Sequence, residues 1–189
     1  MIGSGCAGFN AADSLFDFGV KKIALLTDGV NRGTSRNTGS DKQTYYKLSL
    51  SSDANDSVSE MAMSLFEGGG ANGDNALVDA ANSVRGFIKL SLLGVPFPTN
   101  AFGEYVGYKT DHDPKQRGTS AGPLTSKYMT ECLERSVRAK KIEIFNNTEV
   151  FRLLVHKKKI YGVLAFDLAA ARAGELSVLA FMSQNVVLA

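Results

Sequence analysis

Gly3-Ser4-Gly5-Cys6-Ala7-Gly8 reads G-x-G-x-x-G, and its context decides the fold class of this chain. The first glycine permits a tight turn from strand into helix. The second leaves bare main chain for a pyrophosphate to approach, and the third lets helix and strand pack closely. Free N–H groups and the positive end of the helix dipole attract phosphate charge. Gly5 to Phe18 reads as a helix with Phe9, Ala12, Leu15 and Phe16 on one face and Gly19 as its stop. Lys22 to Thr27 is an apolar run suited to a buried parallel strand. Asp28 follows about 20 residues after the last glycine, where an acid would hold a ribose hydroxyl. The opening is therefore a βαβ unit whose first strand is reduced to Met1-Ile2, and dinucleotide binding is the function it favours.

Working outward, residues 28–56 form a long polar loop broken by a short helical piece around Tyr45 to Leu48. Loops of that length in a compact domain are usually functional. Ser57 and Glu60 predict a capping box for a helix that buries Val58, Met61, Ala62 and Leu65 and stops at Gly68-Gly69-Gly70. Asp74 is the expected cap of a second helix, with Leu77, Ala80, Ala81, Val84, Ile88 and Leu92 inward, ended by Gly94 before Pro96 and Pro98. Tyr105 to Lys109 reads as a short strand and Asp111 to Lys115 as a polar turn. Ser120 opens a third helix to about Ala139, with Leu124, Tyr128, Cys132, Leu133 and Val137 inward.

Strand runs follow at Ile142 to Phe145, Thr148 to Val155, Lys159 to Phe166 and Leu176 to Met182, with His156-Lys157-Lys158 as a hairpin turn. Asn185 to Ala189 is an apolar run that stops without a turn. The clipped run at each end predicts a segment of a longer protein. The fold class is α/β: a Rossmann-like parallel sheet with a β-meander inserted before its last strand.

Composition narrows the function. The chain has 189 residues, 44% hydrophobic and 21% charged, with a net charge of +2, which is too near zero to argue for nucleic acid or an anionic surface. No run approaches the length of a membrane span. Cys6 and Cys132 lie far apart, which excludes a disulfide-rich scaffold and points to a reducing, cytoplasmic setting. With His112 and His156 they make no zinc pattern, and no metal site is expected. Cys6 itself reads as a small residue beside a cofactor. No G-x-x-x-x-G-K-[ST] occurs, so a P-loop is excluded. Gly118-Thr119-Ser120-Ala121-Gly122 matches G-x-S-x-G, but the polar stretch before it is no buried strand, and a helix cap at Thr119 or Ser120 is the better reading.

The motif does not choose the dinucleotide. Gly33-Thr34-Ser35-Arg36-Asn37-Thr38-Gly39-Ser40-Asp41 does more. With GSGCAGFNAA before it, this stretch resembles the flavoprotein subunits of the succinate dehydrogenase, fumarate reductase and L-aspartate oxidase superfamily. GGGANGDNALVDAANSV, LLGVPF, QRGTSAGPLTSKYMTECLE, TEVFRLLVHKKKIYGVLAFD and NVVLA extend the likeness along the chain.

The resemblance implies that residues 1–189 are a partial FAD-binding domain, with the capping and substrate domain elsewhere. It puts the pyrophosphate on Gly3, Ser4, Gly5, Cys6, Ala7 and Gly8, chiefly the backbone of Ser4, Ala7 and Gly8. The ribose would lie near Thr27 and Asp28, the flavin end at Thr34, Ser35, Arg36, Asn37 and Gly39, and the adenine beside the Val150 backbone. The family usually has Glu where this chain has Thr27, so Asp28 would take the ribose. No histidine precedes the second loop at Arg32-Gly33-Thr34-Ser35, which implies noncovalent FAD.

The implied activity is a flavin oxidoreductase moving a hydride between flavin and an organic acid, such as fumarate or succinate. Its partners would be the remainder of the flavoprotein and an electron-transfer partner, and its catalytic acid and base would lie outside this chain. The motif alone also fits an NAD(P)-dependent dehydrogenase domain or a non-catalytic module.

Overall fold

A computed structural model describes residues 1–40, 43–50, 55–110, 113 and 115–189. The elements are α1 (Cys6–Asp17), β1 (Ala24–Leu26), α2 (Thr34–Asn37), β2 (Tyr45–Tyr46), α3 (Val58–Glu67), α4 (Gly73–Leu92), β3 (Gly118–Thr119), α5 (Thr125–Ala139), β4 (Glu143–Phe145), β5 (Thr148–His156), β6 (Lys159–Asp167), α6 (Leu168–Arg172) and β7 (Val178–Met182). They fall into two compact units, Met1–Thr38 with Met129–Ala189, and Gly39–Tyr128.

The first unit holds the expected parallel sheet. β1 pairs with β4 from Ala24↔Glu143 to Leu26↔Phe145. Ile2 bridges Leu26 on one side and Leu188 on the other, both in parallel. Ile2 thus lies between β1 and Leu188. Phe9 and Ala12 of α1 are buried, as are Leu25 and Leu26 of β1 and Leu133 and Val137 of α5. Between α1 and α5 lies a buried carboxylate that the apolar periodicity does not announce. Asp13 accepts from Ser136 Oγ at 2.5 Å and pairs with Lys140 Nζ at 2.7 Å.

The meander follows as a three-stranded antiparallel sheet, β5-β6-β7. His156 pairs with Lys159, so the turn is shorter than expected. Lys157 and Lys158 form it alone, at φ 48° and 62°. Positive φ at both central residues is the turn whose twist suits a two-residue hairpin. The short α6, too short for its apolar spacing to announce it, is capped by Asp167 Oδ1 on the amides of Ala169 and Ala170.

The second unit departs further from expectation. Tyr45–Tyr46 is strand rather than helix, paired antiparallel with β3. α3 begins as predicted, with Ser57 Oγ accepting the Glu60 amide at 3.2 Å, but the Ser57 amide is taken by Asp56 rather than by Glu60. α4 is capped by Asn72, whose Oδ1 accepts the amides of Asp74 and Asn75, so Asp74 falls inside the first turn.

Its buried stripe is Ala76, Ala80, Ser83, Phe87 and Leu90, while Leu77 and Leu92 are 50% and 82% exposed. The rotation has an aromatic cause. Phe87 packs on Phe97 at 4.7 Å and edge-on to Tyr105 at 4.9 Å, and that contact sets the buried face. Among the described residues Tyr105 to Lys109 contributes a single bridge, Tyr108↔Gly118, rather than a strand.

α5 starts at Thr125 rather than Ser120. Ser120 Oγ donates to the Gly122 carbonyl at 3.3 Å, Thr125 Oγ1 accepts the Ala121 amide at 2.9 Å, and Gly122 turns at φ 93°, so residues 120–124 form a tight turn with Leu124 exposed. The predicted polar turn falls largely at Asp111, His112 and Pro114, outside the described residues.

Arg117, 1% exposed as a side chain, is clasped by Asp56 through Nε at 2.9 Å and Nη2 at 2.6 Å, and Nη1 donates to Tyr46 and Ser64. Among the described residues no helix is long and apolar enough to cross a membrane, and no group of three His, Cys, Asp or Glu side chains is arranged for a metal ion.

Candidate nucleotide-binding site

The turn from Gly3 to Gly8 is made by what its glycines lack. Gly3 lies at φ 105°, and a Cβ there would sit 2.0 Å from the Ala189 carbonyl oxygen. A Cβ on Gly8 would sit 2.1 Å from the Gly3 carbonyl oxygen, so the turn closes on itself through bare main chain. Gly5 differs. Its backbone is ordinary, at φ −76° and ψ −178°, and a Cβ would meet only the Ser35 side chain, at 3.2 Å. The second glycine therefore preserves open space rather than internal packing.

Gly5 caps α1 without any side-chain hydrogen bond. The Gly3 amide donates to Leu26 O. Among the described residues the amides of Ser4, Gly5, Ala7 and Gly8 have no acceptor within the chain. Such unspent donors at a helix N-terminus are a ready anion site. The Cys6 amide reaches Ser35 Oγ at 3.3 Å, and Cys6 Sγ lies 2.9 Å from Thr130 Oγ1. The residues thus fit a pyrophosphate: donors without partners, and a bare face over which it can pass.

At the end of β1, Thr27 turns its hydroxyl back toward the glycine turn, 2.8 Å from Ser4 Oγ. The Gly29 amide donates to the same Thr27 oxygen at 3.3 Å. Asp28 Oδ2 pairs with Arg32 Nη1 at 3.3 Å. Thr27 O accepts the Thr148 amide at 2.8 Å, which ties this corner to the start of β5; Val150 lies two residues further, opposite Ala165.

The second loop enters through Gly33 at φ 88° and forms the short α2. Asn37 Nδ2 donates to the carbonyls of Asn31 and Gly33, at 2.9 and 3.0 Å, and holds the loop closed. Thr38 Oγ1 donates to Thr34 O at 2.8 Å. Arg36 is a surprise. Its side chain is 10% exposed and pairs with Glu134, and with Glu131 at 3.7 Å. Its Nε is buried and meets no partner among the described residues. Arg36 thus braces α2 against α5, a role the motif does not reveal. Glu131 and Glu134 stand three residues apart on a helix face, which advertises a cation, but only folding shows which one.

Gly39 belongs to the second unit, where a Cβ would press Leu124 Cδ2 at 3.2 Å. The structure therefore brings the first motif, Thr27, Asp28 and Ser35 around one turn, and sets Arg36 to structural work.

A family model described as FAD binding domain matches residues 1–189. Similar solved structures include a variant of E. coli quinol fumarate reductase FrdA, at TM-score 0.80 and 18% identity, with 97% of this chain aligned to 30% of that one. Mycobacterium smegmatis Sdh1 in complex with UQ1 aligns at TM-score 0.72 and 18% identity, over 87% of this chain and 30% of that one. The 3-ketosteroid-delta4-(5alpha)-dehydrogenase of Rhodococcus jostii RHA1 aligns at TM-score 0.74 and 14% identity, over 97% and 43%. The chain thus spans 30% of the length of the first two of these relatives and 43% of the third. No curated protein matches.

Proposed function

This chain belongs to the FAD binding domain family, so FAD is its cofactor, and on that premise we propose that residues 1–189 are the nucleotide-holding part of a larger flavin oxidoreductase. The observation that carries this reading is the set of unspent amides at Ser4, Gly5, Ala7 and Gly8 beside the open face of Gly5.

In this reading those amides hold the pyrophosphate, and Asp28 holds the ribose. The Val150 backbone flanks the adenine. The loop from Thr34 to Gly39 borders the flavin end, with Ser35 Oγ nearest the glycine turn and Arg36 bracing the loop from behind. Bound flavin supplies a hydride acceptor and donor, and the protein supplies position and electrostatics. With no histidine ahead of Ser35, the cofactor is held noncovalently. The acid and base that handle substrate belong to the rest of the protein. The substrate class is an organic acid, for which fumarate is the first to try. Support comes from the resemblance and from fold neighbours named as fumarate reductases. A quinol or another electron carrier is the redox partner that the same neighbours suggest.

The test uses the full-length protein. Gly5→Val fills the open face yet keeps an allowed backbone. It should fold like the parent and lose FAD, read as loss of the flavin band near 450 nm (roughly, a property of the cofactor). FAD retained at parental affinity by Gly5→Val would sink the placing of the pyrophosphate. Dithionite-reduced holoprotein should be reoxidised by fumarate, and no reoxidation would remove the dicarboxylate while leaving the cofactor in place.

A further inference from the structure

We propose that Arg32 is a positioning residue of the nucleotide site: folded across Gly29, it holds Asp28 as the acceptor for the ribose 2′-hydroxyl. This rests on the placing of FAD on the glycine turn proposed above. It keeps the ribose on Asp28 and makes an arginine responsible for the geometry.

Thr27 is already spent. Its buried hydroxyl lies 2.8 Å from Ser4 Oγ and accepts the Gly29 amide at 3.3 Å. These contacts tie the glycine turn to the end of β1 and leave the hydroxyl nothing further to offer a ribose. Asp28, by contrast, has a half-exposed carboxylate whose Oδ2 accepts from Arg32 Nη1 at 3.3 Å, while Oδ1 accepts a long bond from the Thr27 hydroxyl at 3.5 Å. A carboxylate oxygen has two lone pairs, so with Oδ2 fixed by the arginine Oδ1 keeps a directed acceptor site.

Arg32 reaches Asp28 by crossing the space that a side chain on Gly29 would fill. A Cβ on Gly29 would lie 2.7 Å from Arg32 Cδ and 2.8 Å from Cγ. The arginine stem is therefore laid directly on bare main chain. The turn beneath it is closed by the Arg32 amide on Gly29 O at 2.9 Å and pinned by the Val30 amide on Asn146 Oδ1 at 2.9 Å. An exposed i,i+4 ion pair adds little stability, so folding alone gives no reason for this arrangement. A carboxylate there also favours a free ribose hydroxyl over a 2′-phosphate, and an arginine committed to that carboxylate is not available to hold one.

The experiment compares equilibrium binding of FAD and of its 2′-deoxyadenosine analogue to the full chain, read by flavin fluorescence. The parent should prefer FAD about tenfold, or ~1.4 kcal/mol. Asp28→Ala should bring the two affinities together. Arg32→Ala and Gly29→Ala should each cut the preference to about threefold, and Arg32→Lys should restore most of it. Gly29→Ala is the sharpest variant, because it leaves both side chains in place and only displaces one. A preference that survives in Asp28→Ala, or in both Arg32→Ala and Gly29→Ala, overturns the proposal. So does a preference lost in Thr27→Val but kept in Asp28→Ala. A parent chain that binds neither nucleotide overturns the placing of FAD itself.

Discussion

At the glycine turn the main chain withholds its hydrogen bonds; around Arg117 almost nothing is withheld. Among the described residues the amides of Ser4, Gly5, Ala7 and Gly8 at the head of α1 meet no acceptor. In the second unit every guanidinium nitrogen of Arg117 donates to a neighbour, to Asp56, Tyr46, Ser64 or Asp113. On the proposed reading one region receives a ligand, while the other holds loops together. The contrast teaches that a buried charge cluster, however dense, reads as structure when its donors are satisfied, and that a site shows itself by groups left unspent.

That contrast can be broken by substitution. The largest effect should come from Arg117→Ala, which leaves two buried aspartates without their cation. A loss of about 4 kcal/mol in denaturant unfolding is expected. A loss below about 1 kcal/mol would show that the clasp is not needed for the fold. The same network sets an acid limit. Burial alone would raise the Asp56 carboxyl, but the Arg117 hydrogen bonds and the amides of Ser49 and Ser57 outweigh it and hold it below the usual range. A carboxyl depressed in the folded state contributes stability above its unfolded pKa and loses it as pH falls through the folded one. The parent should therefore destabilise below about pH 4, and Asp56→Asn, weaker at neutral pH, should lose that component of the acid slope.

Next in size is Gly8→Ala. Its methyl would meet the Gly3 carbonyl at 2.1 Å, backbone against backbone, and about 3 kcal/mol of destabilisation is expected in the same assay. Gly5→Ala, whose methyl meets only the Ser35 side chain, should cost under about 1 kcal/mol, and equal losses at the two glycines would erase the distinction between packing and open space.

A gain is predicted at Lys47. The residue is 0% exposed, and its amine lies over the Phe87 ring at 4.8 Å and donates a long bond to Leu48 O at 3.4 Å. Burial pushes this amine below the ordinary lysine range. Folding then releases a proton at pH values between its folded and unfolded pKa, so parental stability should rise with pH across that window and level off above about 10.4. Lys47→Met should raise the melting midpoint at neutral pH, by an amount worth about 1–2 kcal/mol, with the advantage shrinking toward high pH. A less stable Lys47→Met would mean the amine is well solvated after all.

Ser57→Ala should cost about 1 kcal/mol for one lost cap, read in the same denaturant assay.

Local chemistry carried much of this molecule. The glycine turn, α1, the strand after it, the meander and the Ser57 cap are each specified by residues within a turn or two of one another, so a linear reading finds them. The parallel order of Ile2, β1 and β4 follows from the same βαβ logic. What required the folded chain is whatever pairs residues far apart. Which face of α4 is buried depended on an aromatic partner set that includes Phe97 and Tyr105. Arg36 found its acids on α5, Asp56 found Arg117, and Thr27 spent its hydroxyl on Ser4. A residue's type states what it can bond; only its tertiary neighbours decide whether that capacity is used up inside the protein or left for a ligand.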